Sequence, residues 1–238
     1  MKKKIVIATI MLTLAMGSVA CGESKNDESS TTGYEPESKQ ETTLGSANET
    51  VEKSATDENV VLQQVAINAV PTLKGDVCVF IQNNSDTVID ELDAQILYKD
   101  ESGNTIDVAS DGHDMILPGS TVVSRMEAPD SYNKIETAAS IELGVNRGYE
   151  NHAADVDVNA NKGDSGLIIE IKNNGDVDID EIEYIAVFYQ GDDIAKVGFS
   201  SDVRDVKAGA TVIEKESTYD LEYDRFEVYL NQAHTFEL

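Results

Sequence analysis

The sequence predicts an all-β protein built from two tandem antiparallel β-sandwiches, which follow an export signal and a disordered linker. Three observations support this prediction: an internal repeat with a constant offset of 90 residues, apolar residues at every second position in both copies, and turn-forming residues about every ten positions. Residues 83–93, NNSDTVIDELD, recur with changes as residues 173–183, NNGDVDIDEIE. We interpret this stretch as the turn and first half of a β-hairpin that the chain uses twice.

The similarity extends well beyond the hairpin, so it is not a chance match between two acidic stretches. Upstream, residues 77–81 (VCVFI) align with residues 167–171 (LIIEI). Downstream, the alternating apolar positions are Leu92, Ala94, Ile96 and Tyr98 in the first copy and Ile182, Tyr184, Ala186 and Phe188 in the second. Because successive side chains of a strand point to opposite faces, we expect both sets to lie on the buried face of a sheet.

The first 20 residues predict an export signal. Lys2, Lys3 and Lys4 precede about a dozen largely apolar residues and a run of small ones, a stretch too short for a stable membrane span. One interpretation is an ordinary cleavage site near Ala20, followed by an incidental cysteine. The residues also resemble a bacterial lipoprotein signal, in which a small residue precedes the cysteine that becomes lipidated, here Ala20 and Cys21. That resemblance implies a diacylglycerol on Cys21 and a mature protein anchored to the outside of the cell membrane.

Residues 21–58 predict a disordered acidic tether. Glu, Ser, Thr, Asn, Lys and Asp dominate this segment, and it has no apolar periodicity, so it cannot bury enough surface to offset its chain entropy. The whole chain has a net charge of −27, and loss of the three leader lysines makes it −30. Such a surface repels nucleic acid, which excludes nucleic-acid binding as a function.

The remaining chain divides into two sandwiches, residues 59–148 and 153–238. The predicted strands of the first are residues 60–70, 77–82, 90–99, 105–109, 121–126 and 135–145, and those of the second are residues 156–160, 167–172, 180–189, 194–199, 211–215 and 226–230. Between them lie Asn, Asp, Gly and Pro, which favour turns because Asn and Asp tolerate positive φ and hydrogen-bond their own backbone. Since residues 148–154 form a short connection, we expect the sandwiches to lie end to end.

The two repeats resemble the FxLYD domain, a small immunoglobulin-like sandwich found in tandem on bacterial lipoproteins. The residues that support the resemblance are the turn NNSD (83–86), the strand end QILYK (95–99), a Gly-containing hairpin and LPGS (117–120). The resemblance implies two immunoglobulin-like domains on a bacterial lipoprotein. It implies no catalytic residues.

Two short motifs suggest chemistry, and each has a simpler structural interpretation. Residues 163–166, GDSG, match the tetrapeptide around the nucleophile of trypsin-like proteases, but they lie where a hairpin turn is predicted. Residues 155–161, DVDVNAN, begin like a calcium loop, yet Ala160 and Gly166 occupy the positions that require Gly and Glu. The alternating Asp176, Asp178 and Asp180 favour a solvated strand face. We therefore predict no metal site and no cofactor.

The cysteine and histidine residues also lack a catalytic arrangement in the sequence. Cys78 has Ile168 as its counterpart in the second copy, which predicts a buried packing position rather than a reactive thiol. His113, His152 and His234 belong to no repeated constellation, and His234 near the end of the chain is expected to be exposed. We therefore predict no catalytic residues and no enzymatic activity.

The sequence favours a non-catalytic, membrane-anchored extracytoplasmic lipoprotein that acts as a binding or spacer module in the cell envelope. The membrane would be reached through lipidated Cys21, and the partner would be an envelope protein or glycan bound through an exposed strand edge. The alternative is a calcium-responsive accessory or sensor module that uses its acidic turns. Calorimetry with millimolar Ca²⁺ separates the two.

Overall fold

The protein is described by a computed structural model that covers residues 57–146, 148–198, 200–218 and 221–236. The predicted signal peptide, Cys21 and nearly all of the predicted tether lie outside the described residues. The described elements are α1 (Glu58–Leu62), β1 (Val65–Pro71), β2 (Val77–Asn83), β3 (Ile89–Lys99), β4 (Thr105–Ile116), β5 (Thr121–Met126), β6 (Lys134–Glu142), β7 (Tyr149–Asn151), a 3₁₀ turn (Ala153–Asp155), β8 (Val156–Lys162), β9 (Gly166–Asn173), β10 (Ile179–Gln190), β11 (Asp193–Val197), β12 (Ser201–Val206), β13 (Thr211–Ser217) and β14 (Arg225–Phe236).

Each repeat is an antiparallel β-sandwich. In the first repeat, the sheet β1-β2-β5 faces the sheet β4-β3-β6. In the second, β8-β9-β13 faces a larger sheet in which β10 pairs with β11, β12 and β14, and β14 also pairs with β7. The all-β fold class predicted from the sequence is confirmed.

The predicted inward faces form the two cores. All eight alternating residues of β3 and β10 that the repeat singled out are buried, and they pack against the matching apolar faces of β2 and β9. Burial of a large apolar side chain contributes roughly 1.5–3 kcal/mol, so these residues are a main source of the stability of each sandwich. Both cores and all described strand pairings lie within residues 52–238, which form one compact unit, so a protein that begins at residue 52 keeps every described contact.

The duplicated asparagines close each hairpin through their side chains. The Asn83 amide group donates to the carbonyls of Thr87 and Ile116 at 2.9 and 3.0 Å, and its oxygen accepts from the Ser85 backbone at 3.0 Å. Asn173 makes the matching bonds to Val177, Val206 and Gly175. These side chains therefore tie the β2–β3 turn to the end of β4 and the β9–β10 turn to the end of β12. Their bonds within each turn are the local hydrogen bonds that the sequence predicts. Positive φ plays no part, because among the described non-glycine residues only Met115 and Asp205 have it.

Several strand boundaries differ from those expected. The first predicted strand was wrong at residues 60–62, which belong to helix α1, because the Asp57 side chain caps the helix and Val61 packs into the first core. A short apolar run such as VVL does not distinguish helix from strand. Strand β4 continues to Ile116, beyond the predicted end at residue 109. Strands β7 and β12 were not predicted, and β7 pairs with the end of β14, so the connection between the repeats is part of the second repeat's sheet.

The two repeats do not meet end to end, and this expectation was wrong. They meet through outer sheet faces, and a third apolar cluster lies between them. Its buried members are Cys78, Val123, Ile185, Val187, Tyr189, Ile194 and Val197, with the half-buried Val70, Phe80 and Tyr229 packed against them. We name the first-repeat side of this contact, around Cys78, Phe80 and Val123, the outer β2/β5 face, and the second-repeat side, around Ile185, Val187 and Val197, the outer β10/β11 face. The apolar contact explains why residues 184–189 of β10 form an unbroken apolar run, since both faces of this part of the strand are covered.

Polar groups fix the register of the contact between the repeats. Asn231 is the extra residue at a β-bulge where β14 pairs with β10. Its side chain donates to the Val123 carbonyl and accepts from the Val123 amide, both at 2.9 Å, in the manner of a strand partner. The Leu73 backbone N–H in the first repeat also donates to the Ile194 carbonyl in the second, at 2.8 Å.

Candidate functional site at the contact between the repeats

A serine and a histidine that the sequence did not bring together lie close to each other at the margin of the first sandwich. Nε2 of His113 on β4 is 2.6 Å from Oγ of Ser124 on β5. Both residues are buried, with 8% and 2% of their surface exposed. Their counterparts in the second repeat, 90 residues later, are Val203 and Glu214, so the pair is not duplicated. Because the pair is not duplicated, comparison of the two repeats did not indicate that these two residues meet.

The pair does not have the arrangement of a hydrolytic triad. In a triad the carboxylate binds the imidazole nitrogen that does not face the serine, and so fixes the tautomer. Here the nearest carboxylate oxygen of Asp111 lies 3.9 Å from Nε2, the same nitrogen that faces Ser124. Burial lowers the pKa of His113, while the negative charges of Asp111, Glu183 and Asp114 partly oppose this effect. His113 is therefore neutral at pH 7, and its contact with Ser124 satisfies two buried polar groups.

A small cavity lies between the repeats beside this pair. Its volume is about 140 Å³, which is below the roughly 300–1,000 Å³ of ordinary ligand pockets. Its lining residues are Asp111, Val123, Ser124, Arg125, Glu183, Ile185, Ser200 and Asn231. The Arg125 guanidinium also makes an ion pair of 2.8 Å with Asp76. The cavity is large enough for water but not for a typical metabolite.

His234 lies in the interior, so the expectation that it is exposed was wrong. Only 4% of its surface is accessible, because Tyr149 and Phe236 cover its ring at centroid distances of 4.6 and 4.9 Å. Neither ring nitrogen has a hydrogen-bond partner among the described residues. Burial lowers the pKa of His234, against the opposing charges of Glu181, Asp180, Asp114 and Glu183. Strand β7 carries Tyr149 and creates this environment, and β7 was not predicted from the sequence.

The remaining candidates have structural environments. Residues 163–166 form the turn between β8 and β9, where the Gly163 amide donates to the Gly166 carbonyl at 2.7 Å, so the hairpin interpretation is confirmed. Cys78 is fully buried between the repeats, as a packing residue, and burial raises the pKa of its thiol to about 12. His152 is buried too, with Nε2 at 3.2 Å from Thr235 Oγ1. Cys21 lies outside the described residues.

The acidic residues that the sequence singled out, Asp157 and Asp178 among them, have protein partners in the described structure. Asp157 on β8 accepts from the Asn174 amide at 2.8 Å, and Asp178 accepts from Lys207 at 2.9 Å and from the Ala208 backbone. The hydrogen bond with Lys207 lowers the pKa of Asp178, which is consistent with a solvated ion pair. In the described part of the chain, no group of three or more His, Cys, Asp or Glu side chains is arranged to hold a metal ion.

A groove of about 320 Å³ on the first repeat is open and acidic. It lies beside α1, β3 and β6, and its lining residues are Glu58, Glu91, Asp93, Ser140, Ile141, Glu142 and Val145. Its open polar character is that of a sheet surface rather than of a closed binding pocket. Within the residues that can be described, no helix has both the length and the apolar character needed to cross a membrane.

Fold and site together define a protein of two fused β-sandwich repeats whose most distinctive feature is the contact between them. No protein-family model and no curated protein matches the chain. The crystal structure of red sea bream transglutaminase is similar over 76% of this chain and 30% of that chain, with 10% sequence identity and a TM-score of 0.21. The chain therefore spans less than a third of that enzyme's length. A TM-score this low indicates neither a shared fold nor a shared activity.

Proposed function

We propose that the protein is a non-catalytic, extracytoplasmic lipoprotein whose two repeats act as one binding or spacer module in the cell envelope. The observation that supports this proposal best is the contact between the repeats. An apolar cluster with fully buried members, together with the Asn231–Val123 pair, makes the two sandwiches one continuous packed body rather than two domains on a hinge. A spacer must hold its ends at a fixed separation, and a body of this kind does so.

The polar groups beside the contact support a structural role. His113 and Ser124 satisfy each other in the interior, and the adjacent cavity is too small for most substrates. An acyl-transfer enzyme would need a serine that substrate can reach and donors for the oxyanion. Ser124 is 2% exposed, so substrate cannot reach it without rearrangement of the repeat contact.

The envelope location rests on the first 21 residues and on the similarity to the FxLYD domain. A lipid on Cys21 would anchor the protein, and residues 22–56 would separate the sandwiches from the membrane. We expect a full-length chain expressed in a bacterium to incorporate a fatty-acid label and to sediment with membranes. The variant Cys21→Ser should lose the label and become soluble, and retention of the label in this variant would contradict the anchor at Cys21.

The spacer function is tested by the separation between the repeats. Spin labels at Ser102 and Asp192, which lie in exposed hairpin turns of different repeats, report this distance by pulsed electron resonance. Their distance distribution should be a single narrow peak in residues 52–238. Asn231→Ala should broaden it, because the Val123 amide and carbonyl lose their partner across the contact. Asn174→Ala, at an exposed turn away from the contact, is the matched control and should leave the peak unchanged. A broad distribution in the parent protein would contradict the proposed spacer.

A further inference from the structure

The contact between the repeats uses one outer face from each repeat and leaves the other outer face of each repeat uncovered by its neighbour. The first repeat uses its outer β2/β5 face, and the second uses its outer β10/β11 face. Because the chain is a repeat, the second repeat also has a counterpart of the outer β2/β5 face, on β9 and β13. Likewise the first repeat has a counterpart of the outer β10/β11 face, on β3 and β4. We name these the outer β9/β13 face and the outer β3/β4 face.

The outer β9/β13 face keeps large apolar side chains at two of the positions that the first repeat buries, while the exposed Glu170 stands where the first repeat has Phe80. Ile168 and Ile213 stand 90 residues after Cys78 and Val123. Whereas Cys78 and Val123 are buried at 0% and 1% exposure, Ile168 and Ile213 are exposed at 39% and 52%. They lie diagonally across the β9–β13 pair, where Ile168 is opposite Lys215, so they form a small apolar patch.

The outer β3/β4 face keeps the central apolar position of the other side of the contact, while Gln95 and Lys99 stand where the second repeat has Ile185 and Tyr189. In the second repeat Val187 pairs with Val197, and both are buried between the repeats. In the first repeat the same ladder position holds Leu97 paired with Val108. Val108 is exposed at 50%, and Ile106, the unpaired residue at a bulge between Thr105 and Asp107, is exposed at 48%.

Some of the exposed apolar residues stand at positions that match the internal contact. Nine large hydrophobic side chains are exposed among the described residues, and three of them are counterparts of residues in that contact: Val108, Ile168 and Ile213. Single exposed apolar residues are common on protein surfaces, but a group at matching interface positions indicates a binding surface.

The two uncovered faces carry opposite charges at positions that match residues beside the internal contact. There, Arg125 from the first repeat and Glu183 from the second line one cavity together with Asp111, and Arg125 makes an ion pair with Asp76 of its own repeat. Their counterparts at the offset of 90 residues are Lys215 on the outer β9/β13 face and Asp93 on the outer β3/β4 face, both exposed. If the two uncovered faces met as the internal faces do, Lys215 would approach Asp93.

We propose that the partner of these faces is a second copy of this chain, bound head to tail. The outer β9/β13 face of one copy packs on the outer β3/β4 face of the next and repeats the geometry of the internal contact. Such a heterologous contact leaves one competent face at each end, so it produces an open series of oligomers rather than a closed dimer. The inference goes beyond the proposed function and does not need the lipid anchor, because every residue it uses lies within residues 52–238.

The intermolecular contact is weaker than the internal one for two reasons. The register of β3 with β6 runs without the bulge that presents Asn231 in the second repeat, so a polar anchor is missing. Each copy also has a large excess of acidic residues, so copies repel one another at low ionic strength. Association should therefore require high concentration and increase with salt.

Sedimentation velocity of residues 52–238 tests the proposal, with samples from about 5 µM to 1 mM in 50 and 500 mM NaCl. In 500 mM NaCl we expect the weight-average mass at the highest concentration to exceed twice the monomer mass and still to be rising. A monomer at every concentration, or a plateau at the dimer mass, would overturn the head-to-tail contact.

Two blocked variants make the test specific. Ile213→Glu places a charge in the outer β9/β13 face, and Val108→Glu places one in the outer β3/β4 face. Each variant keeps only one face that can bind, so each alone should remain monomeric. Mixed in equal amounts they should form a 1:1 complex that does not grow, because each retains one competent face. Association of either variant alone, or no complex in the mixture, refutes the proposal.

A matched control variant and a pair of charge-exchange variants distinguish loss of association from damage to the fold. Val177→Glu, at a valine of similar exposure in the β9–β10 turn, should associate like the parent. Lys215→Glu and Asp93→Lys should each abolish growth alone and restore it when mixed, since every contact in the mixture can then join opposite charges. Failure of the mixture to restore growth would show that these faces do not meet.

Discussion

We expect replacement of Asn83 by alanine to lower the free energy of unfolding substantially, although it changes only one polar side chain. The Asn83 side chain is fully buried and makes four hydrogen bonds, to Thr87, to Ile116 and two to Ser85. Alanine leaves the Ile116 carbonyl and the Ser85 amide without these partners in the interior. At roughly 1–3 kcal/mol for each such group, we expect the free energy of unfolding to fall by about 3 kcal/mol.

Equilibrium unfolding in urea of residues 52–238, followed by circular dichroism, measures this loss. The variant should also melt roughly 6–12 °C lower, because 1 kcal/mol corresponds to about 2–4 °C in a protein of this size. Asn173→Ala should have a similar effect in the second repeat, where the bonds to Val177, Val206 and the Gly175 backbone correspond to those of Asn83. Asn83→Asp separates the two halves of the network, since it keeps an acceptor for Ser85 but loses the donors to Thr87 and Ile116.

The adjacent exposed asparagine is the matched control. The Asn84 side chain is exposed, so Asn84→Ala should change stability by no more than about 0.5 kcal/mol. The reasoning fails if Asn83→Ala costs less than about 1 kcal/mol, or if Asn84→Ala costs as much.

Three further predictions concern buried ionisable groups. Burial raises the pKa of Cys78 to about 12, so the thiol should not react with iodoacetamide at pH 8 until urea unfolds the protein, and rapid reaction in the native state would refute its burial. Burial lowers the pKa of His113, so the stability that its neutral form contributes is complete above the unfolded-state pKa of about 6.5 and is lost as the pH falls from there through the lower folded-state pKa. His113→Gln should flatten the fall in unfolding free energy between about pH 7 and 5 measured in urea, and parallel curves would contradict this. Burial raises the pKa of Glu216, and its Oε2 atom has no hydrogen-bond partner among the described residues. The stability that its protonated form contributes is therefore present at low pH and is lost as the pH rises through the raised pKa. Glu216→Gln should therefore stabilise the protein by about 1 kcal/mol at pH 7 and not at pH 4, and an equal gain at both pH values would exclude this cause.

Local patterns predicted the strands that have one buried face. Leu92, Ile96 and their counterparts Ile182 and Ala186 alternate strictly, and each is buried as expected. The signal is strong because a one-residue slip would expose the whole apolar set. It failed at residues 60–62, where an apolar run is too short for either period to show and the Asp57 cap favours the helix.

One signal for the contact between the repeats was present in the sequence. Ile185, Val187 and Tyr189 interrupt the alternation of β10 with apolar residues on its second face, where the first repeat has Gln95 and Lys99. Such a run indicates a strand covered on both sides. It does not say which surface covers it, because the partner residues Cys78 and Val123 come from distant segments of the other repeat.

The sequence by itself determined the number of sandwiches, the inward face of their central strands and the asparagines that close their hairpins, because these depend on side-chain alternation and on hydrogen bonds between residues close in the chain. Only the tertiary structure decided that the repeats meet face to face, that His113 lies against Ser124 and that His234 is buried. Those arrangements depend on which outer faces exclude water together, and pairing of surfaces from distant segments leaves no periodic trace in either one.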